Sequence, residues 1–235
     1  MSGAIIEVRH LSKTFSFEAG FFARGERTVY AVNDVSFSIQ RGSTYGLVGE
    51  SGCGKTTTAR LLVGMYSPTS GEIRYAPEAG EARNIASYTK NEMRAYREKV
   101  KYIFQDPARS LNPRMNVFEI ITSPLRYSSE WRGKDDAKER AVKIIKEVGM
   151  SEADLFRRPS EFSGGQRQRI GIARALAVDP KFIVCDEAVS ALDVSIQAQV
   201  INMFEELQEK LGVAYLFIAH DLLVVHHISN RIAVM

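Results

Sequence analysis

The sequence predicts an α/β fold around a largely parallel sheet. Short apolar patterns typical of strands alternate along the chain with longer patterns typical of helices. A glycine-rich turn joins the strand pattern Thr44–Val48 to a helix pattern that begins near Lys55. With 235 residues, of which 45% are hydrophobic and 25% charged, the chain is long enough for one large domain or for one core with an inserted subdomain.

The predicted strands form two groups, one before and one after a long helical stretch. The strand patterns are Ile5–Val8, Val35–Ile39, Thr44–Val48, Glu72–Tyr75, Val100–Phe104, Phe182–Cys185, Val213–Ala219 and Arg231–Met235. A further helix is predicted over Asn91–Glu98. Because the chain ends inside the last strand pattern, we expect a truncated or split gene product.

The stretch 106–161 is helical and charged. Its apolar side chains recur at the spacing i, i+3, i+4, i+7, which places them on one helix face. The residues of this face are Ala141, Ile144, Ile145 and Val148. We therefore predict that 106–161 is an inserted helical subdomain, while 1–105 and 162–235 form the core.

The bulk composition indicates an ordinary globular protein of a reducing compartment. The 31 basic and 28 acidic side chains nearly cancel, so the net charge of +3 gives no indication of a nucleic-acid partner. Only two cysteines occur, Cys53 and Cys185, and a structural disulfide is not expected. The sequence shows no signal-peptide pattern and no run of roughly 20 apolar residues. A function at a membrane would therefore require another chain to cross it.

Residues 49–56 read GESGCGKT and match the P-loop pattern G-x-x-x-x-G-K-[ST]. Glycines let the backbone turn tightly and direct several N–H groups at one point, and the following helix adds its N-terminal partial positive charge. The pattern predicts that Lys55 reaches the β- and γ-phosphates of a nucleotide and that the Thr56 hydroxyl ligates Mg²⁺. The nucleotide-binding residues predicted here are Gly49, Glu50, Ser51, Gly52, Cys53, Gly54, Lys55, Thr56 and Thr57. A chance glycine-rich turn is the alternative.

Two carboxylates follow the apolar strand that starts at Phe182. At a strand end beside a P-loop, Asp186 can hold Mg²⁺ directly or through water. Glu187 is then placed to act on the attacking water as general base. In isolation such a strand end is more often simply solvated, and the neighbouring P-loop favours the catalytic interpretation.

His220 and Gln105 each follow a predicted strand, at the edge of the sheet where open α/β sheets bind ligands. His220 is predicted to contact the γ-phosphate, and Gln105 to ligate Mg²⁺ or orient water. The alternatives are a polar cap for His220 and a solvent-facing loop residue for Gln105.

A second phosphate site is predicted where a Ser-Gly-Gly sequence precedes a helix. The residues of this site are Ser163, Gly164, Gly165 and Gln166. The helix that follows has Ile170, Ala173 and Ala177 on one face. Two phosphate sites in one chain predict a head-to-tail dimer, in which each ATP lies between the P-loop of one subunit and this segment of the other.

These motifs resemble those of the ABC ATPases. Ser163–Gln166 is similar to their signature motif, with Phe162 where leucine is commoner. Residues 49–56 resemble their Walker A motif, and 183–187 their Walker B motif with its catalytic glutamate. The resemblance implies a P-loop NTPase (RecA-like) core with an N-terminal antiparallel β subdomain and an inserted α-helical subdomain. It also implies ATP and Mg²⁺ as cofactors.

The remaining motifs of that family are matched in the same order. Gln105 is similar to its Q-loop glutamine and His220 to its switch histidine. Residues 190–193 resemble its D-loop, which adds Asp193 to the nucleotide-binding residues. The order and approximate spacing match over nearly the whole chain, from Ile5 to Met235.

The resemblance further implies that the adenine stacks on an aromatic side chain near the N-terminus. Phe15 best matches the family's position. Because Ser16 to Val29 resembles an insertion, Tyr30 is the alternative.

Residues 104–114 and 190–199 resemble the oligopeptide/dipeptide importer ATPases, a group that includes nickel importers. This implies a motor subunit at the cytoplasmic face of the cell membrane. Its partners would be a homologous ATPase subunit, transmembrane permease subunits and, indirectly, an extracytoplasmic substrate-binding protein, with no nucleic acid. Ala188 departs from the group, where proline is more usual, and the group's C-terminal segment beyond Ile232 is not in the sequence. The alternatives are an ABC exporter ATPase and an ATPase subunit of a cytosolic enzyme complex, such as one for phosphonate degradation.

Overall fold

Nine strands form two sheets in the computed structural model, which describes residues 3–18, 26–77, 81–105 and 110–235. The strands are β1 (Ala4–Glu18), β2 (Glu26–Gln40), β3 (Thr44–Val48), β4 (Ser70–Tyr75), β5 (Arg83–Asn84), β6 (Val100–Ile103), β7 (Phe182–Asp186), β8 (Ala214–Ile218) and β9 (Arg231–Val234). The helices of the described residues are α1 (Lys55–Leu62), α2 (Lys90–Lys99), α3 (Val117–Thr122), α4 (Lys134–Glu147), α5 (Gly164–Leu176), α6 (Val194–Leu211) and α7 (Leu222–Ile228). Short 3-10 turns occur at Ile85–Ser87, Leu125–Tyr127, Glu152–Phe156 and Pro159–Glu161.

The N-terminal sheet is antiparallel, with the strand order β2-β1-β4-β5. Its two long strands pair well beyond the short patterns visible in the sequence, since Phe15 lies opposite Val29 and Ser16 opposite Thr28. Part of the predicted insertion is therefore a continuation of this hairpin, and the rest of it, 19–25, lies outside the described residues. The sequence analysis did not predict β5.

The second sheet is parallel and has the order β6-β7-β8-β3-β9. Its central strands β7 and β8 are buried throughout, which explains their nearly continuous apolar sequences. Successive side chains of these strands belong to two different apolar clusters. Ile183 packs in the cluster that includes helices α3 to α6, while Val184 packs in the cluster that includes the antiparallel sheet and α1. The sheet thus separates the two apolar clusters that the described residues form.

The carboxyl ends of the parallel strands lie at one edge of this sheet. The P-loop follows β3, Gln105 follows β6 after one intervening residue, and His220 follows β8 in the same way. Asp186 is the last residue of β7, and Glu187 comes next. The topology therefore collects the predicted catalytic residues from four separate parts of the chain.

Between β6 and β7 the described residues form helices and 3-10 turns without a strand. Helices α3, α4 and α5 contribute to one apolar cluster, with Ile120, Ala141 and Ile170 fully buried or nearly so. The predicted helical character of this stretch is present from residue 110 onwards, and the domain boundaries at 105/106 and 161/162 stay predictions.

Candidate active site

The P-loop is shaped by glycines in backbone conformations that other residues rarely adopt. Gly49, Gly52 and Gly54 have φ values of 154°, 81° and 108°. At Gly54 a Cβ atom would lie 2.2 Å from the carbonyl oxygen of Ala31, so β2 passes too close for any side chain. Gly54 also precedes α1 without a side-chain cap, which leaves the first N–H groups of that helix available to an anion.

Lys55 lies inside the loop and is only 5% exposed. Its Nζ donates hydrogen bonds to the carbonyl oxygens of Gly49, at 2.8 Å, and Glu50, at 2.7 Å, and lies 3.7 Å from Cys53 Sγ. Neutral carbonyls satisfy the donors of a buried ammonium without cancelling its charge. The loop therefore holds a positive charge that a phosphate group would neutralise.

Oxygen donors suited to Mg²⁺ meet beside the loop. The Thr56 hydroxyl lies 3.4 Å from Asp186 Oδ1, and both residues line a cavity of about 570 Å³ together with Gln105. Hydroxyl, carboxylate and amide oxygens are the ligands that Mg²⁺ prefers, and they leave room for water and phosphate oxygens. The residues present thus fit the metal that the P-loop implies.

Tyr102 is a member of this site that the sequence analysis missed. Its hydroxyl donates a short hydrogen bond to Asp186 Oδ2. Burial raises the pKa of the Tyr102 phenol, and the hydrogen bond to Asp186 raises it further, so the group remains a donor at neutral pH. A polar aromatic residue near the end of a strand, at the sheet edge that carries the catalytic groups, was the available signal.

Glu187 is held by both of the other predicted catalytic residues. His220 Nε2 lies 2.6 Å from its Oε1, and Gln105 Nε2 donates to its Oε2 at 2.5 Å. The Glu187 side chain is 15% exposed. Together with Lys55 and Thr56 of the P-loop, it lines a cavity of about 210 Å³. The structure therefore brings together residues that are up to 115 positions apart, from Gln105 to His220.

The cavity beside the P-loop bears on the adenine prediction. Tyr30 is 71% exposed and is among its lining residues. Phe15 is not among them: its ring packs edge-on against Tyr66, with centroids 5.6 Å apart, and Lys13 Nζ lies 5.0 Å from its centroid. Of the two aromatic residues, only Tyr30, the alternative, is among the described residues that line the P-loop cavity, and the assignment to Phe15 stays a prediction.

The second predicted phosphate site is the N-terminus of α5. Ser163 caps this helix: Gln166 N donates to Ser163 Oγ at 3.3 Å, and Ser163 N donates to Gln166 Oε1 at 3.0 Å. Phe162 is buried under the guanidinium of Arg157, and Gly165 faces α6 so closely that a Cβ would lie 2.5 Å from Ile196 Cγ2.

This second site does not belong to the P-loop cavity of its own chain. Ser163, Gly165 and Gln166 line a separate groove of about 510 Å³. Asp193 caps α6 and accepts from Ile196 N at 3.0 Å, and it too is absent from the described lining of the P-loop cavity. Within one chain, the two segments predicted to bind phosphate therefore line different cavities.

Comparison with known proteins identifies the family. A family model described as "ABC transporter" matches residues 32–190. The chain belongs to this family. The prediction made from the motifs is thus confirmed, and so is the fold class, because solved ATP-binding cassettes share the architecture.

Three similar proteins of this family carry names that refer to peptide transport. A "probable peptide ABC transporter ATP-binding protein" of Sinorhizobium fredii is 50% identical over all of this chain, which covers 65% of that relative. The "oligopeptide transport ATP-binding protein OppF" of Bacillus subtilis is 48% identical, with 100% of this chain and 73% of that relative covered. A "dipeptide transport ATP-binding protein DppF" of Lactococcus lactis is 47% identical over 98% of this chain and 71% of its own length. This chain thus spans about two thirds to three quarters of these proteins.

A solved structure with the same architecture is the ATP-binding cassette MJ0796. One chain from the dimeric structure of a post-hydrolysis state of that protein, bound to ADP and Pi, superimposes with a TM-score of 0.79 at 27% identity, covering 98% of this chain and 94% of that one. Among the described residues of this chain, no helix has both the length and the apolar character needed to cross a membrane.

Proposed function

We propose that this chain is the ATP-binding and ATP-hydrolysing motor of an ABC importer for oligopeptides or dipeptides. The observation that carries the proposal is the position of Glu187, held between Gln105 and His220 beside the buried ammonium of Lys55. The names of its relatives, which are peptide-transport ATP-binding proteins, support the substrate class.

ATP binds with its phosphates in the P-loop. Lys55 exchanges its bonds to the carbonyls of Gly49 and Glu50 for phosphate oxygens, and the N–H groups at the start of α1 donate to the same oxygens. The adenine stacks on Phe15, the residue that matches the family's position, or on its rival Tyr30, which lines the P-loop cavity. Thr56, Asp186 and Gln105 would hold Mg²⁺, which when bound would neutralise charge on the phosphates.

Hydrolysis is the attack of one water molecule on the γ-phosphorus. Glu187 accepts a hydrogen bond from this water and draws off its proton as the new P–O bond forms and the bond to the β-phosphate oxygen breaks. His220, beside Glu187, contacts the γ-phosphate, and Gln105 fixes the second carboxylate oxygen. The products are ADP and inorganic phosphate.

The complete site forms in a head-to-tail dimer with a homologous ATPase chain. Ser163, Gly164, Gly165 and Gln166 of each chain supply the α5 N-terminus to the ATP of the other, next to the partner's P-loop. In the free chain the Ser163 hydroxyl caps its own helix, so the segment is already shaped as an anion site. Asp193 lies at the start of α6, near the same surface.

The dimer transmits its closing and opening to transmembrane permease subunits. The chain works at the cytoplasmic face of the cell membrane, and an extracytoplasmic substrate-binding protein delivers the peptide to the permeases. Nucleic acid is not a partner.

The test is peptide uptake by cells that carry the whole protein with Glu187→Gln. We expect this variant to bind ATP, to lose hydrolysis by at least about 100-fold, and to abolish uptake of labelled oligopeptides and dipeptides. Glu139→Gln is the matched control, because Glu139 is an exposed residue of α4, far from the motifs in sequence. Undiminished hydrolysis by the Glu187→Gln protein would disprove the catalytic assignment. Lost hydrolysis with unchanged peptide uptake would disprove the importer.

A further inference from the structure

Tyr102 contacts the carboxylate of Asp186, which is proposed to hold the metal. Strands β6 and β7 pair in parallel with Tyr102 opposite Val184, and Asp186 follows two residues later on the same face of the sheet. This register brings the phenol within reach of Asp186, and its hydroxyl donates to Oδ2. Oδ1 of the same carboxylate is directed towards the Thr56 hydroxyl, 3.4 Å away.

We propose that Tyr102 is a positioning residue for the magnesium site, an inference that rests on the proposed ATPase function. A carboxylate on a short side chain can turn about its last bond and present either oxygen. The hydrogen bond to Oδ2 removes this freedom and leaves Oδ1 on the side of Thr56. Outer hydrogen-bond partners of this kind orient metal-ligating carboxylates and tune their affinity.

The phenol is itself held in place. Its ring packs against Phe104, with centroids 4.6 Å apart at an interplanar angle of 50°. Arg60 lies near enough to the phenol to interact with it, and its guanidinium also donates a hydrogen bond to the Tyr66 hydroxyl at 3.3 Å. A donor immobilised by packing orients its acceptor at little cost in side-chain entropy.

Tyr102→Phe removes only the hydroxyl, and Tyr66→Phe is the matched control. The control deletes a phenolic hydroxyl that contacts Arg60 but is not bonded to Asp186. The full-length protein and both variants are compared in two measurements: the dissociation constant of ATP with Mg²⁺ and with EDTA, and the Mg²⁺ concentration for half-maximal hydrolysis.

We expect the wild-type protein and Tyr66→Phe to bind ATP more tightly with Mg²⁺ than with EDTA. With Mg²⁺ present, Tyr102→Phe should bind ATP about 10-fold or more weakly, while its affinity in EDTA stays unchanged. The Mg²⁺ concentration that it needs for half-maximal hydrolysis should rise about 10-fold or more. Excess Mg²⁺ should restore most of its maximal rate, which a merely misfolded protein would not recover.

Each other outcome has a distinct meaning. A Tyr102→Phe protein with wild-type Mg²⁺ dependence overturns the role of Tyr102 and leaves the proposed function standing. A variant that loses ATP affinity equally in EDTA, without recovery at high Mg²⁺, shows a structural role instead and also overturns the inference. A wild-type protein without Mg²⁺-dependent ATP binding overturns the proposed function, and the inference falls with it.

Discussion

Glu187 adopts a left-handed backbone conformation, with φ at 52°, which is uncommon for a residue with a side chain. The surrounding structure enforces it: Glu187 N donates to the carbonyl oxygen of Ile218 in β8, and Ser190 Oγ donates to the Glu187 carbonyl. Backbone strain of this kind, of order 1–3 kcal/mol, is often found at active sites. Here it accompanies a turn immediately after β7 that brings the carboxylate to His220.

Cys53 should react more slowly with alkylating reagents when ATP is bound. Its sulfur lies within the P-loop, 3.7 Å from Lys55 Nζ, and is partly accessible. Since bound phosphates would cover the loop, ATP should slow alkylation of Cys53 by iodoacetamide about 10-fold or more. Mass spectrometry of the labelled peptides measures the rate.

The second cysteine is an internal control for this experiment. Cys185 is fully buried, and burial raises the pKa of its thiol, so it should stay unlabelled in the folded chain. Equal labelling of Cys53 with and without ATP would contradict the placement of the nucleotide.

A second prediction compares the two aromatic residues proposed to stack on adenine. Because Tyr30 lines the P-loop cavity and Phe15 packs on Tyr66, we expect Tyr30→Ala to weaken ATP binding about 10-fold and Phe15→Ala to weaken it less. Titration with inorganic triphosphate, which has no base, should give the same affinity for the wild type and for Tyr30→Ala. A larger ATP-specific loss in Phe15→Ala would assign the role to Phe15.

Among the helices, α2 and α5 begin with the same capping arrangement. The side chains of Thr89 and Ser163 both accept a hydrogen bond from the backbone N–H three residues later, at 3.3 Å. In turn, the side chains of Glu92 and Gln166 accept from the backbone N–H of the cap residue. Only the α5 cap belongs to a segment proposed to bind phosphate. Comparing variants at the two caps therefore distinguishes the contribution of a cap to stability from its contribution to ATP binding.

Replacing either cap with alanine should cost about 1 kcal/mol in the free energy of unfolding, because each removes one side-chain acceptor. Urea unfolding of Thr89→Ala and Ser163→Ala measures this cost. Only Ser163→Ala should also reduce ATP-dependent dimerisation and hydrolysis. If Thr89→Ala lowers both as strongly, the effect is one of stability, and the role of the α5 N-terminus is disproved.

For the molecule as a whole, the two segments proposed to bind phosphate lie in separate cavities of one chain. A single chain should therefore bind ATP but hydrolyse it poorly, and its activity per chain should rise with protein concentration. The Glu187→Gln protein should dimerise in the presence of ATP, so that light scattering gives the mass of two 26.3-kDa chains. An activity per chain that stays constant on dilution to a monomer would contradict the composite site.

Much of the fold was predictable from local pattern. The apolar runs of β3, β7 and β8, the helix near α2 and the P-loop lie within one or two residues of their predicted bounds. The full length of the β1–β2 hairpin was not predictable, because the sequence near Phe17 and Glu26 lacks a simple alternation of apolar and polar residues. The pairing of each strand there is set by its partner strand. Tyr102 was missed for a related reason: its role depends on the register of β6 against β7.

The P-loop could be predicted from the sequence, because a phosphate cradle is local: its glycines, Lys55 and Thr56 lie within one short segment. Which groups Glu187 contacts, and which oxygen of Asp186 faces Thr56, are visible only in the folded chain. Those contacts join strands that are far apart in the chain, and the strand order and register that create them come from packing rather than from local propensity.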